Sequence, residues 1–340
     1  MRKEILFAIF AGAVFGLIIA FGVWRANIAL KPSTETTTTE NTETPTAEFG
    51  ITIAKPLDTQ VLTEGTTLVS GITKPNIWVT ISAEDEDYVF EADEEGSFEQ
   101  EVDLVGGVNE IIIIAFDEEG TSVEEKITVV FSSEFAKQIE ETEEDSNQEE
   151  ATEEAETVRD KVAQKVAKAK NVAFAYIGTV TDISESTLQI KNEDEEIKQV
   201  STDQETTFVK TIKTSKTVKF QDVAIGDFII AMGFKNGNAV LEAKRVLISS
   251  PLEASNREAV FGQIVEIDKK TVTIKQTDDS QWTLEFGKSW KGPELDEIDE
   301  GNTIIAVGIA SENTLETRTL FVIPEESPSP TPTPSPEPEE

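Results

Sequence analysis

The feature that most constrains what this chain can fold into is an internal duplication. The run Gly178-Thr-Val-Thr-Asp-Ile183, followed by Thr187-Leu-Gln-Ile-Lys191, returns 84 residues later. It reappears as Gly262-Gln-Ile-Val-Glu-Ile267 and Thr271-Val-Thr-Ile-Lys275. Further on, Gly226-Asp-Phe-Ile-Ile-Ala-Met-Gly233 matches Gly301-Asn-Thr-Ile-Ile-Ala-Val-Gly308 at an offset of 75. Leu241-Glu-Ala-Lys-Arg-Val-Leu-Ile248 then matches Leu315-Glu-Thr-Arg-Thr-Leu-Phe-Val322 at 74. The falling offset places a deletion in the second copy, around Lys210–Lys219 of the first. Apolar and polar residues alternate through both copies, the period of half-buried strands. Two copies are too few for a solenoid, whose core is buried between stacked neighbours. Residues 172–250 and 251–323 are therefore expected to be tandem small Greek-key or OB-like β-barrels.

Residues 49–135 carry a second β pattern. Ile77, Val79 and Ile81 alternate with Trp78, Thr80 and Ser82, and Ile111–Phe116 is apolar on both faces, as in a central strand. Asp93-Glu-Glu-Gly96 and Asp117-Glu-Glu-Gly120 read as hairpin turns with glycine supplying a positive φ. This spacing predicts a β-sandwich of about seven strands. Val69-Ser-Gly-Ile-Thr-Lys-Pro-Asn-Ile-Trp-Val-Thr-Ile81, Asp93–Phe98, Leu104–Ile111 and Ala115–Gly120 resemble, in order and spacing, bacterial immunoglobulin-like domains. The resemblance implies a disulfide-free sandwich that serves exported proteins as a spacer or adhesive module; it does not imply an enzyme activity. The duplicated region resembles exported bacterial β-domains that begin G-x-V and end in an L-x-A-x-x-V strand, which implies no activity either.

The remaining segments are connectors. Ile5 to Trp24 is an uncharged apolar stretch long enough, as a helix, to span roughly 30 Å of hydrocarbon. Arg2 and Lys3 precede it, Arg25 follows, and no small-x-small cleavage site comes after Trp24. The expectation is a single-pass membrane anchor at 5–24, with a cytoplasmic stub at 1–4 and the bulk of the chain extracytoplasmic. Ala8, Gly12, Gly16 and Ala20 form a small-residue face through which two such helices could associate. Residues 25–48 are a Thr-rich stalk too polar to offset chain entropy by burial. Residues 136–171 read as a flexible acidic linker leading into a short amphipathic helix with Val158, Val162 and Val166 on one face. Residues 324–340 form a Pro-rich extended tail. The fold class is thus mainly β: anchor helix, Ig-like sandwich, linker helix and two barrels.

Composition removes most catalytic chemistry. The chain has no His and no Cys, which excludes Ser-His-Asp and Cys-His catalysis, the usual zinc sites and disulfides. Its formal net charge is −37. Residues 48–135 alone carry −18, against −2 for 172–250, and such a field repels nucleic acid. The expectation is a non-enzyme, with a carboxylate-based hydrolase left as an alternative, and with no cofactor. Its partner would be an envelope protein or polymer.

Three sets of residues stand out as candidate sites. Glu84, Asp85 and Asp87, with Asp93, offer the hard oxygen ligands that calcium prefers, although no D-x-D-x-D-G loop is present; the alternative is a solubilising hairpin. Lys210, Lys213, Lys216 and Lys219 recur every third residue in the segment unique to the first copy. They predict either a cationic hairpin for an anionic partner or a solvated hairpin with Lys as edge protection. Trp282 and Trp290 flank a turn in the second copy and could stack on sugars, with burial in the barrel core as the alternative.

Overall fold

A computed structural model describes residues 49–146, 172–212 and 214–324, with the backbone alone at 140–146. The expected stub, anchor and stalk, the amphipathic helix at 158–171, Lys213 and all but the start of the tail lie outside the described residues. Among the described residues no helix is long and apolar enough to cross a membrane.

Residues 52–131 form two stacked sheets. One contains β1 (Thr52–Lys55), β3 (Thr66–Ile72) and β6 (Ser97–Asp103) in the order β1-β3-β6. The other contains β2 (Val61–Leu62), β4 (Trp78–Ser82), β5 (Asp87–Glu91), β7 (Gly107–Phe116) and β8 (Ser122–Phe131), ordered β2-β8-β7-β4-β5. Eight strands thus stand where about seven were expected, the extra one being the two-residue β2. The period-2 pattern puts Val69, Val79, Ile81, Val102, Ile111, Ile113 and Val129 between the sheets, each fully buried. At the two hairpin turns, Asp93 Oδ1 accepts the Ser97 N–H at 2.6 Å and Asp117 Oδ1 accepts the Thr121 N–H at 2.7 Å. Gly96 and Gly120 have φ of 80° and 78°.

After β8 the chain enters α1 (Ser133–Ser146), where a flexible linker was expected. Local chemistry overrides the run of like charge. Ser132 Oγ accepts the Phe135 N–H at 3.2 Å, capping the helix. Phe135 and Ile139, one turn apart, share a face that packs beside the first barrel, and Phe135 is fully buried there.

The duplication extends to strand register. The first copy contains β9 (Ala173–Ser184), β10 (Thr187–Lys191), β11 (Ile197–Ser201), β12 (Thr207–Lys210), β13 (Lys216–Val218), β14 (Phe228–Lys235) and β15 (Leu241–Ser249). Its ring runs β9-β10-β11-β15-β14 and back to β9, with β12 and β13 continuing outward from β15. The second contains β16 (Arg257–Ile267), β17 (Thr271–Lys275), β18 (Gln281–Lys291), β19 (Thr303–Ser311) and β20 (Thr314–Val322), closed as β16-β17-β18-β20-β19. Thr179 faces Lys191 as Gln263 faces Lys275, and Thr207 faces Arg245 as Lys291 faces Thr319. The bulges coincide too, between Met232 and Gly233 and between Val307 and Gly308. A Cβ at either glycine would collide with a facing carbonyl, that of Glu242 or of Glu316. β18 does the work of β11 and β12 together. The segment the second copy lacks is the β13 hairpin.

Both barrels rest on the outer face of the five-stranded sheet of the sandwich. Val61 and Val130 meet Ala175, Ile230 and Met232 of barrel 1. Ile112, Ile114 and Phe116 meet Ala259, Ile305 and Val307 of barrel 2. At offsets of 84 and 75 these are the same barrel positions. This explains the two-faced apolarity of Ile111–Phe116: one face fills the sandwich and the other seats a barrel.

Candidate functional site

The acidic run after β4 is where the described residues concentrate charged contacts. Arg257, at the start of β16, has a side chain only 3% exposed. Its NH2 donates to Glu84 Oε1 at 3.2 Å and to the Glu110 carbonyl at 2.6 Å, and lies 3.7 Å from Glu110 Oε1. Its Nε donates to Ser255 Oγ at 2.8 Å. Lys291, at the end of β18, reaches Glu86 Oε1 at 2.6 Å. Arg318, in the bulge of β20, places Nε 3.3 Å from Asp87 Oδ2 and donates from NH2 to the Ala83 carbonyl at 3.2 Å. Thr319 Oγ1 donates to the same Asp87 oxygen at 3.1 Å, and Ser82 Oγ to its other oxygen at 2.7 Å. The hydrogen bond and charge of Lys291, helped by the Tyr88 hydroxyl, hold the Glu86 carboxyl below its ordinary pKa. Apolar contacts flank these pairs: Trp78 tilts on Phe321 at 4.9 Å between centroids, and Phe116 stacks on Phe261 at 5.8 Å.

Three of the four carboxylates offered as calcium ligands have partners within the protein. Glu84 and Asp87 are ion-pair partners of two arginines, Asp85 is exposed, and Asp93 caps its own turn. Among the described residues no group of three or more Asp or Glu side chains is placed to hold a metal. The three bases facing the acidic run did not stand out in the sequence. The signal lies in the duplication: where barrel 1 has Ala173, Thr207 and Lys244, barrel 2 has Arg257, Lys291 and Arg318.

Lys210 and Lys216 are direct cross-strand partners on the β12–β13 hairpin. Lys219 follows, its backbone N–H donating to Asp222 Oδ2 at 2.9 Å. Among the described residues none of these three lysines has an ion-pair partner. Like charges directly opposite cost a few tenths of a kcal/mol or more, about 0.2–1 for a pair of this kind. Trp282 and Trp290 lie on one strand, β18, and flank no turn: Trp282 donates from Nε1 to Gln276 Oε1 at 2.9 Å, Trp290 packs edge-on to Phe286 at 4.7 Å, and both lean on the core of barrel 2. That is the packing alternative to sugar stacking.

Lys244 shows what the bulge position does in barrel 1. It pairs with Asp203 at 3.1 Å and Glu205 at 3.4 Å within its own barrel. Burial raises the Asp203 pKa, but Lys244 and Thr206 outweigh it and hold the group below its ordinary value. Glu196 and Asp278 also move down, through Lys198 and Ser280 respectively. A general acid needs a carboxyl moved up, and none of these four moves that way. Leu62, Thr66, Leu68 and Glu101 line a shallow groove on the sandwich.

No family model matches this chain, and no curated protein matches it. Solved structures similar over parts of it include these three. A carbohydrate acetylesterase from Xanthomonas citri is 19% identical over 22% of this chain and 17% of its own length, with a TM-score of 0.19. A tetra-tandem repeat in the extending region of a large adhesion protein is 13% identical over 81% of this chain and 73% of its own, with a TM-score of 0.21. A Ca2+-stabilized adhesin that helps an Antarctic bacterium reach out and bind ice is 14% identical over 79% and 73%, with a TM-score of 0.17. Likeness at these scores carries no argument about fold or activity.

Proposed function

We propose that this chain is a non-enzymatic, membrane-tethered protein of a bacterial envelope. Its β modules form an extracytoplasmic head that acts as a spacer or as an interaction arm. The observation that carries this reading is the seating of both barrels on one sandwich sheet. Apolar side chains and ion pairs fill the junctions, where an enzyme of this build would need a cleft with converging acids. Strand order supports an immunoglobulin-like sandwich, three strands over five with β2 running parallel to the last strand, β8. It also supports OB-like barrels, each a five-stranded ring whose third and fifth strands are parallel. Tethering rests on the apolar stretch Ile5–Trp24. Cell fractionation tests it: the full-length chain is expected with the membranes, and a mature soluble form starting near Ile28 would overturn the anchor.

A second reading, recognition of an anionic envelope polymer, is favoured by one observation. The hairpin present in only one of two otherwise matched barrels opposes Lys210 to Lys216, neither of them ion-paired among the described residues, in a chain of net charge −37. Replacing Lys210, Lys216 and Lys219 by Gln is expected to abolish retention on an immobilised polyphosphate column while leaving the melting curve unchanged. Equal retention of the variant would leave the lysines as edge protection.

A further inference from the structure

The two barrels present the same apolar face to the same sheet, so the apolar contacts alone do not say which barrel takes which seat. Ala175 and Ala259, Ile230 and Ile305, and Met232 and Val307 are matched pairs. We propose that the acidic run Glu84, Glu86 and Asp87 is a recognition surface that admits barrel 2 and rejects barrel 1.

The rim residues carry the argument. Barrel 2 brings Arg257, Lys291 and Arg318 from three different strands, and each meets one carboxylate of the run. The matched positions in barrel 1 are Ala173, Thr207 and Lys244, which retain a single base. That base already holds Asp203 and Glu205, and at the matching places barrel 2 has Gly287 and Ser289. Barrel 1 placed on this seat would therefore set two carboxylates against three. Unpaired like charges at a docking surface are how wrong partners are rejected, at a cost that complementary pairs avoid. Barrel 1 has its own means of fixing its seat. Its Ala175 N–H donates to the Thr59 carbonyl at 2.7 Å, and Gln138 of α1 donates to the Lys244 carbonyl at 3.0 Å.

The absence of cysteine makes the test direct, because a single introduced thiol is the only one in the chain. In the full-length protein, Val307→Cys buries a thiol under barrel 2 and Met232→Cys buries one at the matched place under barrel 1. The labelling rate of each thiol reads how often its seat opens. Giving barrel 2 the residues of barrel 1 (Arg257→Ala, Lys291→Thr, Arg318→Lys) is expected to raise labelling at 307 about tenfold or more while leaving 232 unchanged. The gentler Arg257→Gln, Lys291→Gln, Arg318→Gln variant is expected to do the same. Reversing the exposed pair, Lys291→Glu with Glu86→Lys, is expected to restore the protection at 307 that Lys291→Glu alone loses, to within about threefold. Three results would overturn the proposal: unchanged labelling at 307 in both neutralised variants, an equal rise at both thiols, or failure of the reversed variant to recover protection.

Discussion

Barrel 1 and barrel 2 share ring order, register and bulges, yet each is held to the sandwich by different chemistry. Barrel 1 is covered by a helix: Phe135 lies 6.3 Å from Phe234, ring to ring, and Gln138 bridges α1 to β15. Among the described residues no such helix covers barrel 2, and Ile309, the match of Phe234, is 39% exposed. In place of the helix it has two arginines and a lysine on an acidic run. The comparison teaches that the duplicated backbone sets the closed ring and the apolar docking face. A few rim side chains, one inserted hairpin and the covering helix set how differently the copies are held.

The comparison can be broken most severely at Phe135. Phe135→Ala is expected to cost about 3–5 kcal/mol, the price of emptying a fully buried aromatic site. Hydrogen exchange should show the loss in α1 and barrel 1 and leave barrel 2 protected. Exchange that rises equally in both barrels would mean the copies are not separately held. Next come the bulge glycines. Gly233→Ala and Gly308→Ala drive a methyl into a facing carbonyl in matched geometry, and each is expected to cost about 3 kcal/mol by chemical denaturation. A clear inequality between the two would show that the shared register hides different strain.

A smaller contrast sharpens the role of the helix. Phe234→Ser is expected to lower stability by about 2 kcal/mol, whereas Ile309→Ser should change it by about 0.5 kcal/mol or less. Thermal melts of the two variants check this. The smallest effect is a pH dependence. Glu86 has its pKa lowered by Lys291, so the pairing contributes above the unfolded carboxyl value and is lost as pH falls through the lower, folded value. Labelling of the thiol in Val307→Cys, taken relative to the denatured variant at the same pH so that the falling thiolate fraction cancels, should therefore rise on acidification from neutrality to below pH ~4. Lys291→Gln should flatten part of that rise, and an identical profile in the variant would remove Glu86 from the account.

Much of the fold was legible in the sequence because it rests on period and punctuation. Alternation placed Val79 and Ile81 inward, Asp93–Gly96 and Asp117–Gly120 marked turns, and the change of offset from 84 to 75 marked the hairpin carrying Lys210 and Lys216. The site was less legible, since it is made by residues far apart in the chain. Glu84 and Asp87 looked like free oxygen ligands because nothing local to them reveals Arg257 or Arg318, over 170 residues away. The two apolar faces of Ile111–Phe116 were visible, but a central strand and a docking sheet write the same pattern. The acidic composition of α1 masked a helix whose existence depends on two side chains and a serine cap.

The outer face of the five-stranded sheet sets a valence. Tandem repeats that touch only their neighbours can gain or lose members freely, because each new unit brings its own socket. Here the sockets belong to a single sheet, and both are filled. A third barrel created by another duplication would arrive with its apolar face uncovered, with no seat to take. Repeat number in such a chain is capped by geometry, so divergence between the copies, rather than their multiplication, is the route left open for new binding.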